Sequence, residues 1–486
     1  GLLAGCGKAP KSQKKQARRQ PSQRKPQVQK PPARAELEPP QRNVDPPAED
    51  PDPSQQPGEP PARTPLPVQF SGDQGQGPPQ LDAERIKAAG VRKIAGKWLD
   101  LYTDIPATAA IEELPGVFDQ AIGQWCTYFQ IDEQAIKDWR VIGSLMKDKQ
   151  RFEQAGLLPD SLPVFQHGYS GEFRIWLNEQ PSDYYRRHLL LHEGTHAFMI
   201  HFLKGTGPPW FMEGTAELLG THHWDGKQLQ LRHFPSDKLQ TPHWGRVKIV
   251  QDDLAAGRGM PLEAIMNYGS DAHLKVQPYG WCWAAASFFD SHPQYQASFR
   301  KMLARSGDSS GRFNQIFLES LADQWPSVTQ QWQLFVTQMD YGYDVAREAI
   351  DPRPLQSLPA AGGNFVLQAN RGWQSTGYTI TAGSTLRISG EGQFQLANDP
   401  QPWISEAGGL TIEYYRGKPL GLLLAAVSEP GEAGLTRLAD PQPIGLVGQL
   451  KCSRPGILYV RVNDAPSQLA DNQGQLQVTI QVDPDN

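Results

Sequence analysis

The chain has few residues that could fasten it covalently: only four cysteines in 486 positions, Cys6, Cys126, Cys282 and Cys452. They show neither C-x-x-C pairs nor the close spacing of a disulfide framework, so Cys126, Cys282 and Cys452 read as buried free thiols. No run approaches the roughly 20 apolar residues of a membrane-spanning helix. Positive charge is also short, with 47 Lys and Arg against 52 Asp and Glu, a net charge of -5 and a pI near 6.2. That balance argues against a nucleic-acid binder, which needs surplus cations on a folded face to neutralise phosphate. The one dense basic stretch, residues 8–30, is rich in Gln and Pro and reads as a solvated tether. Large apolar residues are nearly missing from 7–80, where 18 of the 43 prolines fall. Such a segment cannot bury enough surface to offset its ordering entropy, so it is expected to stay disordered.

At the start of that stretch, Leu3-Ala4-Gly5-Cys6 fits the lipobox at which bacterial signal peptides are cut to leave a lipidated cysteine. The expectation is a signal-peptide remnant over 1–5 and a lipidated tether over 6–80, anchored to a bacterial cell envelope without spanning it.

Periodic apolar patterns return near Leu81 and define a region over 81–355. Strands are expected over Val91–Thr103 and Trp139–Met146, and a helix over Thr108–Gln130 with a kink or late start at Pro115. The segment Glu172–Asn178 alternates as a half-buried strand, with Phe173, Ile175 and Leu177 on one side and Arg174 and Trp176 on the other. Ser182 or Asp183 can cap a helix running to about Phe202, Gly205–Pro209 breaks it, and a second helix begins near Trp210. Helical patterns then dominate from Pro278 to about Ala349. Beyond Asp351-Pro352-Arg353-Pro354, short strands separated by Gly, Pro and Asn turns imply an all-β sandwich over 356–486.

Chemistry concentrates in His192-Glu193-Gly194-Thr195-His196, an H-E-x-x-H pattern. On a helix, positions i and i+4 share a face, so both imidazoles can reach one tetrahedral metal. In Trp210-Phe211-Met212-Glu213-Gly214-Thr215-Ala216-Glu217 a second helix offers two carboxylates four apart. Glu213 is the candidate third ligand, which leaves one coordination position open, as catalysis requires. Glu217 is the candidate partner for the free ring N–H of His192. His188, His201, His222 and His223 read as structural.

This combination resembles the gluzincin branch of the peptidase MA clan, in which H-E-x-x-H is followed by a W-x-x-E-G-x-A-E helix. The resemblance implies an α+β zincin catalytic domain, zinc held by His192, His196 and Glu213, and Glu193 as the general base and acid for water attack on a peptide carbonyl. It places the strand over 172–178 at the sheet edge beside the cleft, where a peptide can add. The G-x-M-E-N signature of related aminopeptidases is absent, which favours an endopeptidase. Tyr279 is a candidate oxyanion donor because relatives use a Tyr or His from a later helix, although a Tyr ahead of a helix is more often a packing residue.

The C-terminal region resembles the LecA-type calcium-dependent galactophilic lectins through Tyr459-Val460-Arg461-Val462-Asn463-Asp464-Ala465-Pro466 and Asp471-Asn472-Gln473-Gly474. By that resemblance Asp464, Asp471 and Asn472 would ligate calcium with side-chain oxygens, and Gln468 and Leu396 with main-chain carbonyls. Galactose-containing glycans become candidate partners, the alternative being an Asn- and Asp-rich turn in a sandwich that spaces or stabilises the enzyme. The fold class expected is therefore multidomain: disordered tether, zincin-like α+β domain, all-β sandwich. The function expected is an envelope-anchored zinc endopeptidase acting on a peptide or protein. The rival readings are a surface carbohydrate-binding protein and a zinc hydrolase of a non-peptide amide.

Overall fold

The structure is a computed structural model that describes residues 80–270, 272, 275–398 and 401–483. The expected signal remnant, Cys6 and the tether lie outside the described residues. An N-terminal mixed, largely helical region is followed by an all-β region, and both belong to one compact unit.

The first region is built on a five-stranded sheet in the order β1 (Arg92–Ala95), β2 (Leu99–Thr103), β3 (Val141–Met146), β5 (Arg174–Asn178), β4 (Gly168–Ser170). Strands β2, β3 and β5 run parallel, while β1 and β4 close the edges antiparallel. Helix α1 (Leu114–Phe129) starts late, with Pro115 in its first turn, where a missing N–H costs nothing. It packs Phe118, Trp125 and Phe129 on the sheet and on the next helix.

Two expectations for this sheet change. Strand β5 is buried on both faces: Trp176 is 1% exposed, sits in a second small core with Phe152 and Leu157, and donates its Nε1 to the Leu157 carbonyl at 2.7 Å. Residues from the helix Lys149–Gln154 and the loop after it cover the face that alternation alone assigned to solvent. The sheet edge is β4, three residues at 168–170 that carried no strand signal in the sequence, and β5 lies inside it.

Helix α2 (Asp183–Phe198) is capped by Ser182, whose hydroxyl accepts from Tyr185 N, and it ends in a π turn over Met199–Leu203. Helix α3 (Pro209–Gly220) packs on it, α5 (Val276–Ser291) packs on α3, and α4 (Arg246–Ala255) packs on α5. Glycines set the approach. A Cβ on Gly194 would meet Phe118 and Trp125 at 2.6 and 2.7 Å, and one on Gly214 would lie 2.8 Å from the Cys282 carbonyl. Cys126, Cys282 and Cys452 are buried free thiols.

The all-β region consists of two six-stranded sheets whose inner faces share one core, with Leu386, Ile388 and Ile480 from one sheet against Ala425, Leu458 and Val460 from the other. Helix α6 (Trp325–Gln338) joins the two regions. Leu334 is buried with Trp373, Leu424, Ile457 and Tyr459, and Arg461 reaches across to Glu348 at 3.2 Å.

Candidate metal centre

His192 and His196 lie one turn apart on α2, with their Nε2 atoms 3.1 Å from each other. The packing of α3 on α2 brings Glu213 Oε2 to 3.3 Å from His192 Nε2 and 3.7 Å from His196 Nε2. An ion bound at about 2.0–2.1 Å in tetrahedral geometry holds its ligand atoms about 3.3–3.4 Å apart. The three observed separations bracket that value. Glu213 Oε2 is buried without a hydrogen-bond partner, an expensive state that a cation relieves. Among the described residues Glu213 has no Lys or Arg ion-pair partner. The group therefore fits a metal ion.

Behind the ligands lies a buried charge network. Glu217 Oε1 faces His192 Nδ1 at 3.3 Å and Oε2 faces His188 Nε2 at 3.3 Å. Arg246, 5% exposed, grips the same carboxylate with Nε at 2.8 Å and Nη2 at 2.9 Å. Burial would raise the Glu217 carboxyl, but Arg246 and the two histidines outweigh it and hold it well below the usual range. Burial opposes charge on His192 as well, yet Glu213 and Glu217 outweigh it and push its pKa up. His188, His192 and Glu217 form a second cluster close enough for a metal, but Arg246 already supplies its positive charge. His188 is pushed down by burial and stays neutral beside Glu217, away from the first cluster's convergence point.

Glu193 is 6% exposed, and burial raises its carboxyl above the ordinary carboxylate value. It lines a cleft of about 1330 Å³ together with His192, His196, Glu213, Tyr279 and residues of β4. Tyr279 is carried into the site by the first turn of α5. Its ring lies 6.0 Å from that of His192, with the Arg246 guanidinium 5.4 Å from its centroid. Burial and the three nearby carboxylates push its phenol well above the usual value, so it stays protonated and can donate. Sequence reading missed Arg246, Ser170, Gly168 and the cleft-lining His167, all of them outside the two motifs.

At the other candidate site, Asp464 and Asn472 come together: Asn472 Nδ2 donates to Asp464 Oδ2 at 2.8 Å and to the Ala369 carbonyl at 3.0 Å. Asp464 Oδ1 accepts from Ala465 N at 2.7 Å, and Asn472 Oδ1 is buried without a partner. Burial pushes the Asp464 carboxyl up to about 6. Ladder pairing of Gln395 with Gln473 places Leu396 across from Asn472. Asp471 and Gln468 are exposed. The side-chain oxygens of Asp464 and Asn472 are of the kind calcium takes, and the Asn472 amide oxygen is left without a partner. Yet Asp464 and Asn472 are 1% and 2% exposed, Pro466 O accepts from Asp344 N at 3.4 Å, and Gly342 abuts Ser467. The loop is pressed against the first region.

No family model matches the chain, and no curated protein matches it. Among solved structures the chain is similar to the N-terminal domain of EclA, a PllA-like lectin, at 18% identity and a TM-score of 0.20, covering 25% of this chain and 95% of that one. It is also similar to IMPa from Pseudomonas aeruginosa in complex with an O-glycopeptide, at 12% identity and a TM-score of 0.14, covering 79% of this chain and 37% of that one. At these TM-scores neither likeness bears on fold or function.

Proposed function

We propose that the chain is a zinc-dependent endopeptidase held at a bacterial cell envelope by a lipid on Cys6. The observation that carries the reading is the convergence of His192 Nε2, His196 Nε2 and Glu213 Oε2 at 3.1 to 3.7 Å, with Glu193 beside them on an open cleft. Two histidines and a glutamate form a catalytic rather than a structural zinc set, because the fourth position is left for water or substrate. Zinc bound there would polarise a carbonyl and make water more acidic. The protein's own groups do the rest. Glu193, buried and therefore ready to hold a proton, takes one from the attacking water and returns it to the leaving nitrogen. Glu217, fixed by Arg246, orients the His192 ring through Nδ1. Tyr279 stands as a donor for the developing oxyanion.

A peptide substrate follows from shape. The cleft exceeds the roughly 300–1,000 Å³ of small-molecule pockets, and β4 is the edge strand of the sheet among the described residues, the position at which an extended chain adds. No helix among the described residues is long and apolar enough to cross a membrane. We read the Asp464 loop as a structural calcium site that fastens the two regions. A sugar that ligates the ion needs it at the surface, and the Asp464 and Asn472 side chains are buried.

The test is Glu193→Gln, which removes the base but no ligand. Hydrolysis of a peptide library should fall by at least about 10²–10⁴-fold while zinc stoichiometry stays at wild type. Retained activity would refute the mechanism.

A further inference from the structure

Gly168 opens the edge strand β4, and its φ lies outside the left-handed region, so the backbone there would accept alanine. The space would not. A Cβ at this position would lie 2.4 Å from Glu193 Oε1 and 2.8 Å from both its Cδ and Cγ. Non-bonded carbon is comfortable at about 3.5–4.0 Å, so the carboxyl would have to retreat by roughly 1 Å. Two positions on, the Ser170 hydroxyl lowers the pKa of the same carboxyl, against the raising effect of burial. Residues i and i+2 of a strand face the same way, so both positions address Glu193 at once.

The strand that carries them is pinned. Gly168 pairs with Leu177 and Ser170 with Ile175, and Asn178 N donates to the His167 carbonyl at 2.7 Å. The hairpin turn is fastened to the π turn that ends α2, with Glu172 Oε1 2.6 Å from His201 Nδ1. The wall therefore belongs to the same rigid assembly as the helix bearing the metal ligands.

We infer that Gly168 and Ser170 are positioning residues that seat the Glu193 carboxyl from the strand side, one by lacking a side chain and the other by its hydroxyl. Glu193 is a long side chain on a helix, and the strand limits its freedom to the rotamer that faces the ligand cluster. A misplacement of about 1 Å in a reacting group can cost on the order of 10²-fold. The inference rests on the proposed role of Glu193.

The experiment measures kcat, KM and zinc content of the full chain carrying Gly168→Ala on a peptide that the wild type cleaves. The expected result is a kcat lower by about 10²-fold, with KM within about threefold and zinc stoichiometry unchanged. Ser170→Ala introduces no clash and serves if Gly168→Ala does not fold; its kcat should drop by roughly 3–10-fold with the same KM and zinc content. In a double-mutant cycle with Glu193→Asp, the combined loss should be clearly smaller than the product of the separate losses, because both changes act through one carboxylate. Wild-type kcat in Gly168→Ala, or a loss carried by KM or by missing zinc, would overturn the inference. If Glu193→Gln itself stays active, the peptidase mechanism fails first. If Glu193→Gln is dead while Gly168→Ala is fully active, only the seat is wrong.

Discussion

The His192–His196–Glu213 cluster and the Asp464–Asn472 loop both gather buried donors, and their surroundings separate them. The first opens on a cleft, and Glu213 has no Arg or Lys ion-pair partner among the described residues. The second has its Asp464 and Asn472 side chains buried and touches the helical region at Pro466 and Ser467, and Arg461 stands beside it: Nη2 donates to the Asp464 carbonyl at 2.9 Å while the guanidinium pairs with Glu348. Donor atoms alone do not make a reactive site; access and an unsatisfied charge do. The comparison extends to the two buried ion pairs. Arg246–Glu217 stands directly behind the candidate metal ligand His192, whereas Arg461–Glu348 stands at the junction of the regions.

The sharpest way to break this contrast is Glu213→Ala. It should abolish both zinc binding and hydrolysis, where Glu193→Gln abolishes hydrolysis alone, and metal analysis beside activity separates the two. Next, Arg246→Met leaves Glu217 charged and buried without its cation. We expect a loss of about 3–5 kcal/mol in unfolding experiments and zinc affinity weaker by about 10–100-fold. Glu348→Gln should destabilise on a similar scale by stranding Arg461, yet leave zinc affinity and kcat at wild type. If both variants change zinc affinity equally, the distinction between the two networks fails.

A smaller effect follows from two histidines held neutral in the helical region. His222 Nδ1–H donates to Gly220 O at 2.8 Å and Nε2 accepts from Arg187 at 3.4 Å. His292 Nε2–H donates to Gln331 Oε1 at 2.9 Å and Nδ1 accepts from Gln294 N at 3.3 Å. Burial depresses their pKa values to about 3 and about 4. The unfolded chain therefore takes up these protons near pH 6.5 and the folded chain only below 4. Their contribution is present above pH 6.5 and lost as pH falls through that window. Thermal midpoints measured from pH 7 to pH 4 should fall, and His292→Gln should flatten the slope. The smallest effect concerns the loop: calcium should raise the thermal midpoint by a few degrees, Asp464→Ala should remove that rise, and galactose resin should retain neither form. Calcium-dependent retention would restore the sugar-binding reading.

Much of the catalytic proposal was legible in local pattern. The i, i+4 histidines, the Ser182 cap, the Gly-Pro break and the late start at Pro115 are all set within one or two helical turns, where backbone geometry leaves few options. The second face of β5 was not legible, because Trp176 is buried by residues from 152 to 169 that alternation cannot see. Strand β4 is three residues long and is a strand only because β5 lies beside it.

By itself the sequence determined which residues can bind metal and on which helices they sit, since ligand spacing is a property of a single element. Only the tertiary structure decided that Arg246 stands behind Glu217, that Gly168 faces Glu193, and that Asp464 and Asn472 are buried in a loop that touches the first region. The physical reason is the same in each case: charge partners, steric walls and access to solvent are relations between segments distant in the chain, and they exist only once the chain has packed.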